Sequence, residues 1–247
     1  MSPSPASDET ARVVERYARR PALDARYSML RAEVMQAVHE RQRALAGLLR
    51  AAARRDPRWA ELPALRLTEV GCGAGGNLLE WLRLGLLPEH LTGLELLPER
   101  AASARDLLPA GLAVIEGDAC IAPVEPGSQD LVLASTVFSS LLDAAFQQRL
   151  ADAMWRWLRP GGAVLCYDFA VDNPRNPDVR GVPVARLRQL WPQGRLACRR
   201  VTLAPPIARR LAALHPALPA LANALPLLRT HRLAWIERPP FRGADAG

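Results

Sequence analysis

A glycine-rich segment, set between an apolar run and a helical pattern, constrains the fold of this chain most. Residues 69–77 read Glu-Val-Gly-Cys-Gly-Ala-Gly-Gly-Asn; they overlap the end of an apolar run at 65–70 and lead into an amphipathic stretch at 77–86. Glycine permits a sharp turn and lets a ligand lie against bare backbone. The segment therefore predicts a strand, a ligand-binding turn and a helix in succession.

Short apolar runs alternate with helical patterns beyond this segment. The runs at 65–70, 91–96, 113–116, 130–134 and 163–169 predict strands, and the patterns at 77–86, 98–108 and 143–158 predict helices. Such alternation is typical of a parallel sheet, and two further strand-like runs at 195–203 and 230–237 bring the total to seven. The expected fold is α/β: a Rossmann-like, doubly wound, mostly parallel seven-stranded sheet.

The flanking segments predict additions to this core. Residues 1–60 are expected to form an N-terminal region, with a disordered leader at 1–9 and a helical lid that includes an amphipathic helix at 28–54. Residues 61–247 are expected to form the main domain. Within it, 205–228 is rich in Ala and Leu but contains five prolines, so it predicts a helical insertion of at most two short helices.

Composition excludes several classes of function. The net charge is +7, but the basic residues are all arginines and do not alternate with aromatic residues, so no nucleic-acid partner is expected. Cys72, Cys120, Cys166 and Cys198 lie far apart, which predicts no metal site and a reduced compartment. Apolar runs are too short for a spanning helix and the N-terminus lacks a signal pattern, so a cytoplasmic protein is expected.

Two acidic residues follow the next predicted strands. Glu95 ends the second strand, 22 residues beyond Gly73, where a carboxylate can accept hydrogen bonds from a ribose diol. Asp118 follows the third strand within the sequence Glu-Gly-Asp-Ala. Ligands of open parallel sheets bind at the carboxyl ends of the strands, so these groups should converge on one site. A nicotinamide cofactor and S-adenosylmethionine both remain possible at this point.

These motifs, together with the Leu-Arg-Pro-Gly-Gly turn at 158–162, resemble the class I S-adenosylmethionine-dependent methyltransferases over residues 65–169. The resemblance implies that the glycine loop lies under the methionine part of the cofactor, that Glu95 holds the ribose and that Asp118 faces the adenine. The residues that it assigns to the cofactor, which include an N-terminal tyrosine, are Glu69, Gly71, Cys72, Gly73, Gly75, Asn77, Glu95, Leu96, Asp118, Ala119, Ser135 and Tyr27.

The acceptor side departs from the family pattern. Residues 135–140 read Ser-Thr-Val-Phe-Ser-Ser, where many relatives carry an acidic or His-containing segment. Asp168, at the end of the fifth strand, is therefore the predicted general base, since an alcohol acceptor must lose a proton as its new bond forms. Residues expected to contact the acceptor are Ser139, Tyr167, Asn173, Arg175 and Arg180.

Residues 167–169 and 172–180 resemble a bacterial subgroup linked to polysaccharide biosynthesis, although 172–180 also fits a proline-stiffened surface loop. The resemblance implies an O-methyltransferase acting on a sugar or glycan precursor, either free or lipid-linked. A methyltransferase of another small metabolite, such as a quinone or polyketide, stays open. So do a nicotinamide-dependent oxidoreductase and a catalytically silent cofactor-binding protein. The insertion at 205–228 either caps the core or contacts anionic lipid at a membrane surface.

Overall fold

The computed structural model describes residues 5–19, 28–172 and 176–240, and its centre is a seven-stranded sheet in the order β3-β2-β1-β4-β5-β7-β6. Six strands run in one direction, and β7, which lies between β5 and β6, runs antiparallel to both. The strands are β1 (Leu67–Val70), β2 (Leu91–Glu95), β3 (Ala113–Glu116), β4 (Gln129–Ser135), β5 (Leu158–Phe169), β6 (Arg195–Leu203) and β7 (Arg229–Glu237).

Helices cover both faces of this sheet. The α-helices of the described residues are α1 (Pro5–Ala18), α2 (Ala32–Ala53), α3 (Gly76–Leu84), α4 (Pro98–Leu107), α5 (Ala144–Trp157), α6 (Val184–Leu190), α7 (Pro205–Leu214) and α8 (Leu218–Ala222). None of the described helices is both long enough and apolar enough to cross a bilayer.

Alternating side chains of the central strands divide the core into two layers. Leu131 and Leu133 of β4 pack with Leu45 of α2 and Trp81 of α3 on one face. Val132 of β4 packs on the other face, among side chains of α5 and α6. Because strands with both faces covered need apolar residues at successive positions, the interior of β4 reads as a continuous apolar run. This confirms the doubly wound sheet predicted from the sequence.

The structure contains the helices and strands predicted from the sequence, with small shifts of their first and last residues, except at the Arg-Pro-Gly-Gly turn. Residues 159–162 lie inside β5, where the pairing with β4 is irregular between Gln129 and Leu131. Gly161 adopts a φ of +75°, and its amide donates to the carbonyl of Arg238 at 2.9 Å. The expected turn is therefore an irregularity within a longer strand. The pair of short helices predicted at 205–228 is confirmed as α7 and α8.

The N-terminal leader was predicted to be disordered through residue 9, and this is wrong from residue 5 onward. Glu9, Val13 and Arg16 of α1 are all buried against the core. Their spacing places them on one face of a helix. The polar composition of residues 1–9 conceals this helix, because its buried face is visible only when the helical pattern is extended back from Val13. The helix at 28–54 is confirmed as α2, with a later start at Ala32.

Candidate cofactor-binding site

The glycine loop joins β1 to α3 in a left-handed backbone conformation. Gly71, Gly73 and Gly75 have φ values of +65°, +57° and +88°, which non-glycine residues seldom adopt. A Cβ on Gly71 would lie 2.9 Å from Val137, and a Cβ on Gly75 would lie 2.7 Å from Leu108. A Cβ on Gly73 would meet no protein atom within 4 Å. Gly73 therefore borders open space, as a loop that lies under a ligand must.

The carboxylate of Glu95 is fixed at the end of β2 by two backbone amides. The Gly73 amide donates to Oε2 at 2.7 Å, and the Leu97 amide donates to Oε1 at 2.9 Å. Each oxygen keeps a further lone pair, so the carboxylate can still accept hydrogen bonds from a diol. This geometry links the glycine loop to the second predicted acidic residue before any ligand binds.

A cavity of about 150 Å³ lies over the carboxyl ends of β1, β2 and β4 and beside the loop that follows β3. Among the residues predicted to bind the cofactor, those that line it are Gly71, Glu95, Leu96, Asp118, Ala119 and Ser135. Asp118 is oriented by the Cys120 amide, which donates to Oδ1 at 2.8 Å. The acidic groups at 95 and 118 thus face one cavity, as the sequence predicted.

Helix α1 forms the roof of this cavity through Thr10, Val13 and Tyr17. A buried ion pair holds it in place: Arg16 Nη2 lies 2.8 Å from Glu9 Oε1. Arg16 also donates to the carbonyl of Ser140 at 2.9 Å, and Glu9 accepts the amide of Leu142 at 3.1 Å. We call these two side chains and their partners the latch, because they tie α1 to the segment between β4 and α5.

Glu69, at the end of β1, is fully buried and only half satisfied. Asn77 Nδ2 donates to its Oε1 at 2.6 Å, whereas Oε2 has no partner. Burial raises the pKa of Glu69 to about 8. A buried oxygen without a partner is costly. Glu69 does not line the cavity and has no exposed surface, so its contact with the methionine part of the cofactor stays a prediction.

Arg41 of α2 belongs to the same network, although the sequence analysis missed it. Its Nη2 donates to Asn77 Oδ1 at 2.9 Å and to Glu80 Oε1 at 3.0 Å, and its guanidinium lies 5.2 Å from the centre of the Tyr167 ring. No motif marks Arg41, because it reaches the site from a helix 36 residues before Asn77.

A second cavity, of about 20 Å³, adjoins the first at Ser135, which lines both. Arg41 and Tyr167 supply much of its polar lining. Tyr167, which the sequence predicts to contact the methyl acceptor, is buried. Its hydroxyl lies 2.8 Å from Thr202 Oγ1, and its ring stacks on that of His231 at a centroid distance of 5.0 Å. Burial lowers the pKa of His231 to about 4, so the imidazole is neutral at physiological pH.

Asp168, the predicted base, lies on the opposite face of β5 from Tyr167. Its Oδ2 accepts the Ser139 amide at 3.0 Å and its Oδ1 accepts the Phe169 amide at 2.9 Å. Burial raises its pKa to about 6, and it does not line either of the two cavities. This carboxylate positions the Phe138–Ser140 turn, and its role as a base stays a prediction.

Other predicted residues are placed away from the two cavities or lie outside the described residues. Ser139 is buried within its turn, and Arg180 is exposed, with only its backbone amide bound to the Ser139 carbonyl. The Cys72 side chain packs into the core, so only its backbone belongs to the loop. The predicted residues that lie outside the described parts of the chain are Tyr27, Asn173 and Arg175.

Two strained or charged residues at the first cavity also escaped the sequence analysis. Thr136 has a φ of +56°, donates its amide to the Tyr167 carbonyl at 2.7 Å and lines the cavity beside Ser135. Such strain in a non-glycine residue often marks a functional site. Arg100 of α4 lies 4.6 Å from the centre of the Tyr17 ring. The residue types at 135–136 do not predict the positive φ of Thr136, because that conformation depends on the contact with the neighbouring strand β5.

Comparisons with known proteins agree with this geometry. A family model described as a methyltransferase domain matches residues 68–166, which contain the glycine loop and both acidic residues. No curated protein matches the sequence significantly.

Solved structures with similar folds cover most of the chain. The geranyl diphosphate C-methyltransferase of Streptomyces coelicolor is 14% identical, with a TM-score of 0.62 over 97% of this chain and all of that one. The cyclase SpnF is 19% identical, with a TM-score of 0.57 over 81% and 83%. Phosphoethanolamine N-methyltransferase 2 of Haemonchus contortus, solved with S-adenosylmethionine, is 16% identical, with a TM-score of 0.53 over 72% and 49%. At these identities the likeness shows the fold alone.

Proposed function

We propose that this chain is an S-adenosylmethionine-dependent methyltransferase that methylates a hydroxyl oxygen of a sugar or glycan precursor; the methyltransferase domain matched at residues 68–166 supports the first part of the proposal. The observation that carries the proposal is the meeting of the two cavities at Ser135, between the cofactor-binding groups and the polar ring of Tyr167. Its glycan part rests on the resemblance of residues 167–169 and 172–180 to the subgroup linked to polysaccharide biosynthesis.

The chain's own residues can hold the cofactor along the first cavity. Glu95 can accept hydrogen bonds from the ribose hydroxyls, and Asp118 can accept one from the adenine amino group. Glu69 offers its unpartnered Oε2 to the amino group of the methionine part, and Arg41 keeps Asn77 in place beside it. When bound, S-adenosylmethionine supplies a methyl group on a sulfonium, which a nucleophile displaces in line.

The acceptor would approach from the side of the second cavity. In-line displacement requires the nucleophilic oxygen, the methyl carbon and the sulfur to be aligned, and positioning can supply much of the rate. Ser135 lines both cavities and Tyr167 lines the second, so an acceptor held against these two side chains would face the first cavity. The latch of α1 closes that cavity on its outer side and can keep water out.

A hydroxyl acceptor must also lose its proton as the new C–O bond forms and the C–S bond breaks. Two titratable groups are candidate bases: Asp168, the base predicted from the sequence, whose carboxylate faces the Phe138–Ser140 turn, and His231, whose ring stacks on that of Tyr167. Their pKa values separate them, because that of Asp168 is about 6 and that of His231 about 4. The acidic limb of the pH profile of kcat therefore distinguishes the two bases, and the matching variant, Asp168→Asn or His231→Gln, should remove that limb.

Turnover tests the proposal directly. The parent protein would be incubated with S-adenosylmethionine and a panel of sugars, nucleotide sugars and lipid-linked saccharides, and formation of S-adenosylhomocysteine and of a methyl ether would be measured. We expect product only with hydroxylated saccharide acceptors. Cofactor binding without turnover on any acceptor would instead support a catalytically silent protein.

A second candidate function is methylation of a more apolar metabolite, of the quinone or polyketide class. The lining of the second cavity favours it, because five of its residues, namely Leu45, Trp81, Leu133, Leu165 and Leu233, are apolar. A phenolic acceptor panel run beside the saccharides separates the two. Turnover confined to the phenols would replace the glycan assignment and leave the methyl-transfer reaction itself intact.

A further inference from the structure

The C-terminal third of the chain carries an unusual distribution of charge. Residues 179–236 contain ten of the 32 basic residues of the protein and none of its 25 acidic residues. These residues form α6, β6, α7, α8 and β7 at one edge of the sheet. The positive charge of the protein is therefore concentrated at the edge that lies furthest from β3.

The same edge exposes a group of leucines, which we call the leucine surface: Leu214, Leu221, Leu225 and Leu227. Their exposed fractions range from 57% for Leu225 to 89% for Leu227. Single exposed leucines are ordinary in proteins, whereas clustered exposed apolar side chains are typical of interaction sites, and these four all fall between residues 214 and 227. Two of the exposed arginines, Arg209 and Arg210, lie on α7 directly before this surface.

The helices that carry the leucine surface are anchored to the body of the protein. Ala208 of α7 and Pro219 of α8 are buried. Arg229 donates to the carbonyl of Asn223 at 2.8 Å and to that of Arg200 at 2.9 Å, which ties the end of α8 to the last two strands. The buried side of this segment is thus satisfied by the core, and its leucines are left facing outward.

We infer that the leucine surface and the arginines around it dock on a membrane that contains anionic lipid. Charge complementarity identifies the occupant, because each arginine near such a surface strengthens binding while the leucines enter the headgroup region. No acidic residue within 179–236 opposes an anionic bilayer. Glu33 of α2, whose carboxylate interacts with Arg209, is also paired with Arg31 at 2.8 Å. Docking here is independent of the acceptor proposed above.

The placement of α7 and α8 gives this docking a consequence for the substrate. Both helices contact α2, which supplies Arg41 and Leu45 to the second cavity. A bilayer held against the leucine surface would lie beside the helix that borders the acceptor region. If the proposed function holds, a lipid-linked saccharide is the form of acceptor that this arrangement fits.

Vesicle co-sedimentation tests the inference with the full chain. Vesicles of phosphatidylcholine alone and vesicles that also contain phosphatidylglycerol would be mixed with the parent protein at low salt and at high salt. We expect binding to the anionic vesicles only, weakened by salt. The double variant Leu214→Asp/Leu221→Asp should lose it, and Arg209→Ser/Arg210→Ser should weaken it roughly tenfold or more.

Matched variants on helices that do not carry the leucine surface serve as controls. Leu107→Asp changes an exposed leucine of α4 and Arg156→Ser an exposed arginine of α5, and both should sediment as the parent does. Retained affinity for S-adenosylhomocysteine shows that each variant is folded. The inference is wrong if the parent stays in solution with anionic vesicles at low salt, or if the controls lose binding equally. It is also wrong if the leucine surface mediates self-association in lipid-free sedimentation velocity.

Discussion

Replacing Arg16 by Met should open the roof of the cofactor cavity without unfolding the protein. Arg16 and Glu9 are both buried, and their ion pair is joined by hydrogen bonds to Ser140 and Leu142. Removing one partner of a buried pair costs about 3–5 kcal/mol, because the other charge is left uncompensated. Helix α1 can avoid that cost by leaving its site, which exposes Glu9 to water.

Undocking of α1 would remove Thr10, Val13 and Tyr17 from the cavity. Calorimetric titration should then show weaker binding of S-adenosylhomocysteine by Arg16→Met, by roughly tenfold or more, since each 1.4 kcal/mol corresponds to about a factor of ten. Hydrogen exchange should show loss of protection in α1 alone, while the sheet stays protected.

Arg19→Met, at the residue directly after α1, is the matched control. Arg19 pairs with Glu15 at 3.3 Å, but both side chains are more than half exposed, so the pair contributes about 0.3–0.5 kcal/mol. This variant should bind as the parent does. The reasoning is refuted if Arg16→Met keeps parental affinity and parental protection of α1, because the latch would then be irrelevant to the cavity.

Three further predictions follow from the same site. Gly73→Val should abolish binding of S-adenosylhomocysteine, since a branched side chain at a φ of +57° is strained and fills the open space beside the loop; parental affinity would refute the loop assignment. Burial raises the pKa of Glu69 from 4.5 to about 8, so the protonated side chain contributes a stabilisation of the fold that is complete below pH 4.5 and is lost as pH rises through about 8. The Tm of the parent should therefore fall across that range, and Glu69→Gln should flatten the fall. A parallel fall in both proteins would contradict it. Asp168→Asn should lower the free energy of unfolding in urea by about 1–3 kcal/mol, because an amide group then faces a backbone N–H, whereas Asp152→Asn on the surface of α5 should not. Equal stability of the Asp168 variant and the parent would argue that these amides do not depend on the carboxylate.

The convergence of the glycine loop, Glu95 and Asp118 on one cavity could be predicted, because local sequence determines it. The glycine loop, Glu95 and Asp118 each follow a strand, and parallel strands bring their carboxyl ends to one edge whatever the packing around them. Local sequence also predicts the observed bounds of two strands, 113–116 and 195–203, because turn residues flank each run.

The acceptor half could not be predicted, because tertiary packing decides it. Successive residues of a strand face opposite sides, so Tyr167 reaches the second cavity while its neighbour Asp168 turns towards the Phe138–Ser140 turn. Arg41 and His231 arrive from α2 and β7, far from any motif. The docking of α1 on the core depends on the buried ion pair of Arg16 and Glu9, which the amino-acid composition of the segment does not reveal.

Calorimetric titration of S-adenosylhomocysteine into the parent, Glu95→Gln and Glu99→Gln proteins tests the central claim most directly. Glu95 is held by two amides at the cavity, whereas Glu99 is exposed on α4. We predict one binding site in the parent, no binding of NAD, affinity in Glu95→Gln weaker by about tenfold or more, and parental affinity in Glu99→Gln. Binding of NAD without S-adenosylhomocysteine, or equal affinity in all three proteins, would contradict the account.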